Sequence, residues 1–404
     1  MLDVVVAGGG YVGLSAAVAI KQAAPHLGVQ VVEAAPEDVW KKDVRASAVI
    51  AAATRMLDVF GIWSEIEPEA QPIHKMIVTD SKTADPVRPI FLTFDGAVDE
   101  GKPFAHMIPN VAMVGALRGL CERLGIEIRH GLSVSGFSSG PQSTSITLSD
   151  GTLLEAKLLV ACDGVRSALR DMAGIKTVHW SYDQSGIVTT VEHDRPHNGC
   201  AEEHFLPSGP FAILPLKGNR SSLVWTERTA DANRLVASDD LVFEEELERR
   251  FGHKLGAIRP VGARNAFPLG LTLSRAFIAP RFALAGDAAH GIHPISGQGL
   301  NLGFKDVAAL AETVVEADRL GLDIGSVNVL ERYQAWRRFD TLRMGVTTDV
   351  LNRLFSNDVG PIRVARDLGL GIVDRLPGLK SYFIGQAAGT SERDAPRLLA
   401  GQAL

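Results

Sequence analysis

The apolar and polar positions of this chain change rhythm several times, and each change predicts an element. Asp3-Val4-Val5-Val6-Ala7 is a nearly continuous apolar run of the kind a buried parallel strand shows, and it leads through Gly8-Gly9-Gly10-Tyr11-Val12-Gly13 into helical spacing over residues 14–23. A second strand is expected at 29–32, a helix at 111–124 and another strand at 126–130. Between Pro68 and Pro109 the alternation breaks down, and prolines mark edge strands and loops around two strand-like stretches, 76–79 and 90–94. Residues 145–150 and 153–159 predict a hairpin turning at Asp150-Gly151. The stretch 181–268 is rich in strands (186–191, 204–206, 211–216 and 221–226) with one helical segment at 241–251. A short strand follows at 282–285. Helical spacing resumes near Gly299, through Leu300, Leu302, Phe304, Val307, Ala308, Leu310 and Ala311, and a last helix is expected at 329–338.

This order predicts an α/β protein: a Rossmann-like, dinucleotide-binding domain with an inserted β-sheet domain and C-terminal helices. The expected boundaries are 1–70, 104–180 and 275–345 for a discontinuous first domain, 71–103 and 181–274 for the inserted sheet, and 346–404 for a C-terminal helical segment. A length of 404 residues agrees with more than one core.

Two motifs carry chemistry. Gly8 allows the tight turn after the first strand, Gly10 lets bare backbone approach a pyrophosphate, and Gly13 permits close packing of helix on strand. Glu33 follows the second strand, about twenty residues past Gly13, where an acid accepts a ribose hydroxyl. Further on, Gly286-Asp287 closes a strand where its carboxyl end would meet a ligand crevice, so Asp287 is placed to accept hydrogen bonds from sugar-like hydroxyls. The helix start near Gly299 presents free N–H groups and a dipole that favours negative charge.

Composition narrows the partners. A net charge of −6 and a pI near 6.0 leave no basic surplus for nucleic acid. Cys121, Cys162 and Cys200 are isolated, so neither a disulfide framework nor a zinc site is expected, and a reducing cytoplasmic compartment fits. No basic leader precedes the first strand, and no apolar run reaches the roughly 18 residues of a membrane span. His290 and His293 are spaced like metal ligands, but no ligand set completes them, so no metal is expected. A G-x-S-x-G elbow is missing as well.

The stretch Gly286, Asp287, Ala288, Ala289, His290, His293, Pro294, Gly297, Gln298, Gly299, Leu300, Asn301, Gly303, Asp306 closely resembles the long GD motif of the ubiquinone-biosynthesis hydroxylases, a group of FAD-dependent aromatic monooxygenases related to para-hydroxybenzoate hydroxylase. Cys162-Asp163-Gly164-Val165-Arg166, with Arg170 beyond it, resembles their DG motif, associated with both FAD and NAD(P)H. The lines LPSGPFAILPL and SSLVWTE extend the likeness over nearly the whole chain. The resemblance implies non-covalent FAD, NAD(P)H as co-substrate, and dioxygen transferred to an electron-rich ring through a flavin C4a-hydroperoxide. It assigns Gly8, Gly10, Gly13, Glu33, Arg45, Asn110, Asp163, Gly286, Asp287, Gly299, Leu300 and Asn301 to the cofactor. Pro294, Gly297, Gln298 and Gly299 would border the reacting edge of the flavin. Tyr333, Trp336 and Arg337 match a pattern expected to serve packing.

The implied substrate is a polyprenylated phenol, met by an apolar wall expected from Phe205, Phe211, Ile213, Leu214, Pro215 and Trp225, about half of which must face elsewhere. Glu202, Glu203 and His204 are read as solvated or structural. The expected site is cytoplasmic, at the inner face of the membrane or beside other ubiquinone-biosynthesis proteins; an apolar stripe at helical spacing over 361–384 is either a docked helix pair or a surface for membrane or partner. Three rivals stay open: a hydroxylase of a small phenolic acid, with Arg220 or Arg228 gripping its carboxylate; a flavin reductase or oxidase; and a non-catalytic FAD-holding subunit.

Overall fold

A computed structural model describes residues 1–80, 90–95, 103–292, 298–355 and 395–404. Its first sheet grows from the strand Leu2–Ala7, which pairs in parallel with Val29–Glu33 on one side and Leu153–Ala161 on the other. Val4, Val5 and Val6 are all fully buried, as a parallel strand covered on both faces requires. Glu127–His130 and Phe282–Leu284 extend the sheet, also in parallel. The expected hairpin is present as Thr144–Leu148 against Leu153–Ala161.

The second sheet is eight-stranded and carries the inserted segments. Its backbone is a long antiparallel ribbon of two 17-residue strands, Thr177–His193 and Ile258–Ser274. The periodicity of the sequence exposes only fragments of this ribbon, because the register shifts between Ser181 and Gln184 and again between Val188 and Thr190. Each shift resets the alternation of side chains, so the pattern does not persist along the strand. Arg220–Arg228, Gly209–Leu216, Cys200–Leu206, Lys75–Asp80 and Ile90–Asp95 follow in that order on one side of the ribbon and His290–Gly291 closes the other, so the strands 75–80 and 90–95 join the sheet formed by the later segment.

Two helices, Thr229–Ala237 and Asp240–Phe251, cover one face of this sheet. Only the second is evident from apolar spacing. Ile187, Phe211, Ile213, Leu223 and Trp225 pack there against Leu235, Phe243 and Leu247. Of the apolar wall expected from the sequence, Phe211, Ile213 and Trp225 therefore belong to this outer core, whereas Leu214 lines the cavity on the opposite face.

The helix Gln298–Arg319 packs on Tyr11–Ala23, and the contact turns on Val12. A Cβ built on Gly303 would lie 2.7 Å from Val12 Cγ2, and one on Gly286 would lie 3.0 Å from Val12 Cγ1. Val12 is thus a knob between two glycines, and it joins the first glycine loop to the Gly286-Asp287 turn. The last helix, Val327–Phe355, is 29 residues long, far beyond the ten expected, because its later turns continue onto the second sheet: Trp180 Nε1 donates to Asp349 (2.9 Å) and Asn352 Nδ2 donates to Gln184 (3.0 Å). Residues 361–384 lie outside the described residues.

The Val12 contact is directly testable. Gly303→Ala should cost about 1–3 kcal/mol through overpacking, read as a lower thermal midpoint, and Val12→Ala in the same chain should restore most of the loss. Additive losses in the double variant would refute the knob.

Candidate active site

Three loops meet at one level because the strands that feed them are in register. Ala7 lies opposite Ala161, and Ala161 opposite Leu284, in adjacent parallel strands. The GxGxxG loop, the Asp163-Gly164 turn and the Gly286-Asp287 turn all follow these strand ends, side by side at the carboxyl edge where ligands bind in such sheets.

Gly8 takes φ +115°, and a Cβ on it would meet the Cys162 carbonyl oxygen at 2.3 Å; one on Gly13 would lie 1.9 Å from the Gly8 carbonyl oxygen. These two glycines are demanded by packing within the protein. Gly10 differs, since a Cβ there would meet nothing within 4 Å. The first helix has neither a side-chain cap nor an acidic residue in its opening turn, so no side chain of that turn satisfies its opening N–H groups. Glu33 accepts hydrogen bonds from the backbone N–H of Gly9 and from that of Ala35 (2.7 Å), which fixes its carboxylate beside the loop. An open cradle of bare N–H groups beside an anchored carboxylate suits a pyrophosphate with its ribose, so the residues present fit FAD.

Asp163 accepts from Ser167 Oγ (2.6 Å) and the Leu169 N–H (3.3 Å), which shapes its turn. From that turn Arg170 donates to the carbonyls of Val165 and Ala288, each at 3.1 Å, and so ties the DG and GD loops together. Arg170 is buried. Its tie to Ala288 cannot be read from spacing, although an arginine at a fixed offset from Asp-Gly was a signal available in the chain.

Behind Gly286 lies a buried charge cluster. Asp306 is fully buried; it accepts from the Gly286 N–H (2.9 Å), bonds His290 Nε2 (2.5 Å) and pairs with Arg337 Nε (2.8 Å). Arg337 also pairs with Asp340 (2.9 Å), which Arg343 and Lys305 approach as well. Burial opposes the charge on Asp306, yet His290 and Arg337 outweigh it and hold the carboxyl below its ordinary range. Burial acts likewise on Asp340, but Lys305 and the arginines bring it down to about 2. Tyr333 donates to the Leu284 carbonyl (2.6 Å), closing the same region from the last helix. Arg337 and Tyr333, expected only to pack, instead hold the strand and turn that carry Asp287.

Asp287 itself is exposed within the lining of a large cavity, about 1020 Å³, along with Tyr11, Ser47, Gly299 and Leu300. The surrounding walls still strip hydration from it and raise its pKa, with His290 and Arg45 offsetting part of the effect. Burial, then the charge of Asp287, pushes Tyr11 up to about 12, so its phenol stays a hydrogen-bond donor. Asn301 accepts from the Ile50 N–H (3.1 Å) and donates to the Ala48 carbonyl (2.9 Å), pinning a strand that lines the cavity. Asn110 bonds Ser47 and Asp43, and Arg45 pairs with Asp43 (2.7 Å), so these residues form one chain along the cavity's edge. Pro294, Gly297 and the side chain of Gln298 lie outside the described residues, as does His293. Among the described residues no cluster of His, Cys, Asp and Glu could hold a metal ion.

The cavity has two unlike walls. One is polar: Arg166, Arg170, Asp171, Thr177, His179, Ser181 and Thr272. The other is apolar, with Met76, Phe104, Ala212, Leu214, Val224 and Leu269, and it carries one carboxylate, Glu203. Arg220 and Arg228 are exposed at the ends of their strand and are not part of the lining, so neither is placed to grip a substrate carboxylate. Of the two expectations for Glu202, Glu203 and His204, solvated or structural, burial of all three removes the first.

A glycine loop between strand and helix, and the Gly286-Asp287 turn on a cavity walled by a β-sheet, fit one class: a flavin-dependent monooxygenase of the aromatic-hydroxylase fold. Comparison with known proteins agrees. A family model described as "FAD binding domain" matches residues 1–338. The crystal structure of p-nitrophenol 4-monooxygenase PnpA from Pseudomonas putida DLL-E4 superposes with a TM-score of 0.80 over 97% of this chain and 99% of that one, at 21% identity. Ubiquinone hydroxylase UbiL of Rhodospirillum rubrum is 44% identical over 99% of this chain and 92% of its own. The 3-demethoxyubiquinol 3-hydroxylase of Escherichia coli is 32% identical over 96% and 98%. The chain belongs to the ubiquinone-biosynthesis hydroxylase family of FAD-dependent monooxygenases.

Asp306→Asn leaves Arg337 buried with a weakened partner and is expected to cost about 3–5 kcal/mol and to lower the FAD retained on purification. Asp306→Asn combined with Arg337→Met should be less damaging than the sum of the two; equal or worse damage would show that the pair does not act as a unit. The cluster also predicts acid sensitivity. Carboxyls held low in the folded state stabilise it above their ordinary pKa near 4, and that stability is lost as the pH falls toward about 2, the Asp340 value. An acid-unfolding midpoint that does not move in Asp340→Asn would remove this contribution.

Proposed function

We propose that the chain hydroxylates the ring of a polyprenylated phenol on the route to ubiquinone, with NAD(P)H and dioxygen as co-substrates. The apolar wall facing the cofactor loops is the observation that carries this reading, together with relatives whose names specify ubiquinone and demethoxyubiquinol hydroxylation. Bound FAD supplies electron acceptance from NAD(P)H and activation of dioxygen. The chain's own residues do the rest. Gly8, Gly10, Gly13 and the first helix seat the pyrophosphate, Glu33 takes a ribose, and Asp287 takes hydroxyls of the ribityl chain. Gly299 and Leu300, in the first turn of the helix Gln298–Arg319, present N–H groups to the flavin's pyrimidine edge, where negative charge gathers on reduction. Arg45, Asn110 and Asp163 shape the loops that border it, and Asn301 keeps the strand Ala46–Ile50 in place. Pro294, Gly297 and Gln298 are proposed to border the reacting edge.

The polar wall suits the nicotinamide donor, whose phosphates match Arg166 and Arg170, while the apolar wall takes the ring. A prenyl tail gains about 0.8 kcal/mol per buried CH₂, so the tail stays in lipid or in an apolar sheath while the ring enters. On the first of these readings the enzyme works at a membrane surface or beside a partner that presents the lipid; on the second it sheathes the tail itself. Among the described residues no helix is long and apolar enough to cross a membrane.

Turnover of a prenylated phenol under isotopically labelled dioxygen should give product carrying one labelled oxygen, with NAD(P)H oxidation stimulated by the phenol. Label arriving from water, or faster turnover of a small phenolic acid than of the prenylated ring, would overturn the assignment.

A further inference from the structure

The one carboxylate on the apolar wall has a defined place in the sheet. In the strand Cys200–Leu206, Glu203 is opposite Val78 on one neighbouring strand and Ala212 on the other, and Ala212 is in turn opposite Val224. Residues paired across strands share a face, so this row presents valine, glutamate, alanine and valine together. Ala201, Glu203, Ala212, Leu214 and Val224 all line the cavity. The sequence neighbours of Glu203 point the other way, as alternation requires: Glu202 is held by Lys254, and His204 Nδ1 bonds Thr79 Oγ1 at 2.7 Å. Glu203 lines the cavity and is otherwise buried, 3% exposed, with interactions of its own.

The other carboxylates of the lining have different surroundings. Asp287 is at the GD turn, and Asp171 follows Arg170 on the polar wall. On the wall where a ring would lie, Glu203 is the acidic group that the sheet contributes. We propose that Glu203 is a substrate-binding residue, accepting a hydrogen bond from the ring hydroxyl and so deciding which edge of the ring faces the cofactor. The proposal rests on the hydroxylase reading. Its chemistry is simple: a phenol O–H donating to a carboxylate pushes electron density into the ring and raises the nucleophilicity of the carbons ortho and para to the oxygen. A hydrogen bond made here, away from bulk water, favours the hydroxyl-in orientation by about 10- to 100-fold.

The test compares a short-chain prenylated phenol with its methyl ether, which has the same shape but no proton to donate. Binding is followed by flavin fluorescence in FAD-loaded protein without NAD(P)H, and turnover by product formed per NAD(P)H consumed. Wild-type protein is expected to bind the phenol at least tenfold more tightly than the ether. Glu203→Leu should abolish that preference, lower kcat/KM for the phenol by about 10- to 100-fold, and release reducing equivalents without product, while FAD content stays unchanged. Glu203→Gln, whose amide oxygen still accepts, should keep part of the preference, and it also serves if the leucine variant fails to fold. The proposal is overturned if both variants retain the full preference for the phenol, or if wild-type protein shows none. Wild-type protein that prefers the phenol but hydroxylates neither compound would instead sink the hydroxylase reading and leave the role of Glu203 in binding intact.

Discussion

The arrangement depends on one buried carboxylate. Asp306 shares its face of the helix with Leu302, Ala309 and Leu310, yet it holds three groups from different parts of the chain: the Gly286 N–H, the His290 ring and the Arg337 guanidinium. An ion pair removed from water repays its desolvation only when geometry and further hydrogen bonds satisfy both partners. Here that requirement brings the turn after a strand, the following loop and the last helix to one point. The position of Asp287 at the ligand edge follows from it, since Gly286 is fixed from behind.

The parts of the molecule legible in the sequence are those with a local period. Val4 to Val6, the glycine loop and the helix behind it follow from spacing alone, and so does the placement of Glu33. What stayed hidden was non-local or interrupted. Arg337 is 31 positions from Asp306, and a charged residue on a helix reads as solvated unless its partner is known. The clue present in the chain was the location of Asp306, on the face of its helix shared by the apolar residues. The Thr177–His193 ribbon was broken into fragments by its own register shifts, and the 29-residue final helix was cut short because exposed Phe339, Leu342, Val346 and Val350 blur its apolar stripe.

The candidate site shows the same division. Residues required by backbone geometry, such as Gly8 and Gly13, can be assigned from sequence because only glycine fits them. Contacts to backbone far along the chain cannot be read that way: the clamp of Asn301 on the strand Ala46–Ile50 and the tie of Arg170 to the Ala288 carbonyl have no local signal, and the place of Glu203 in the cavity lining follows only once the face of its strand is known.

The long ribbon also bears on how such a protein diverges. The strand Ile258–Ser274 pairs with His290–Gly291, immediately after the GD turn, and with Thr177–His193 on its other side, which leads into the sheet that forms the apolar wall. The separation between cofactor loops and wall is therefore set by a continuous hydrogen-bonded ladder rather than by a hinge. Regioselectivity on such a frame is adjusted by reshaping the wall, one side chain at a time, with the oxidising centre left where it is. A gene duplicate can thus acquire a new ring position through a few substitutions in the strands 75–80, 200–206 and 209–216, without first relearning how to hold its cofactor.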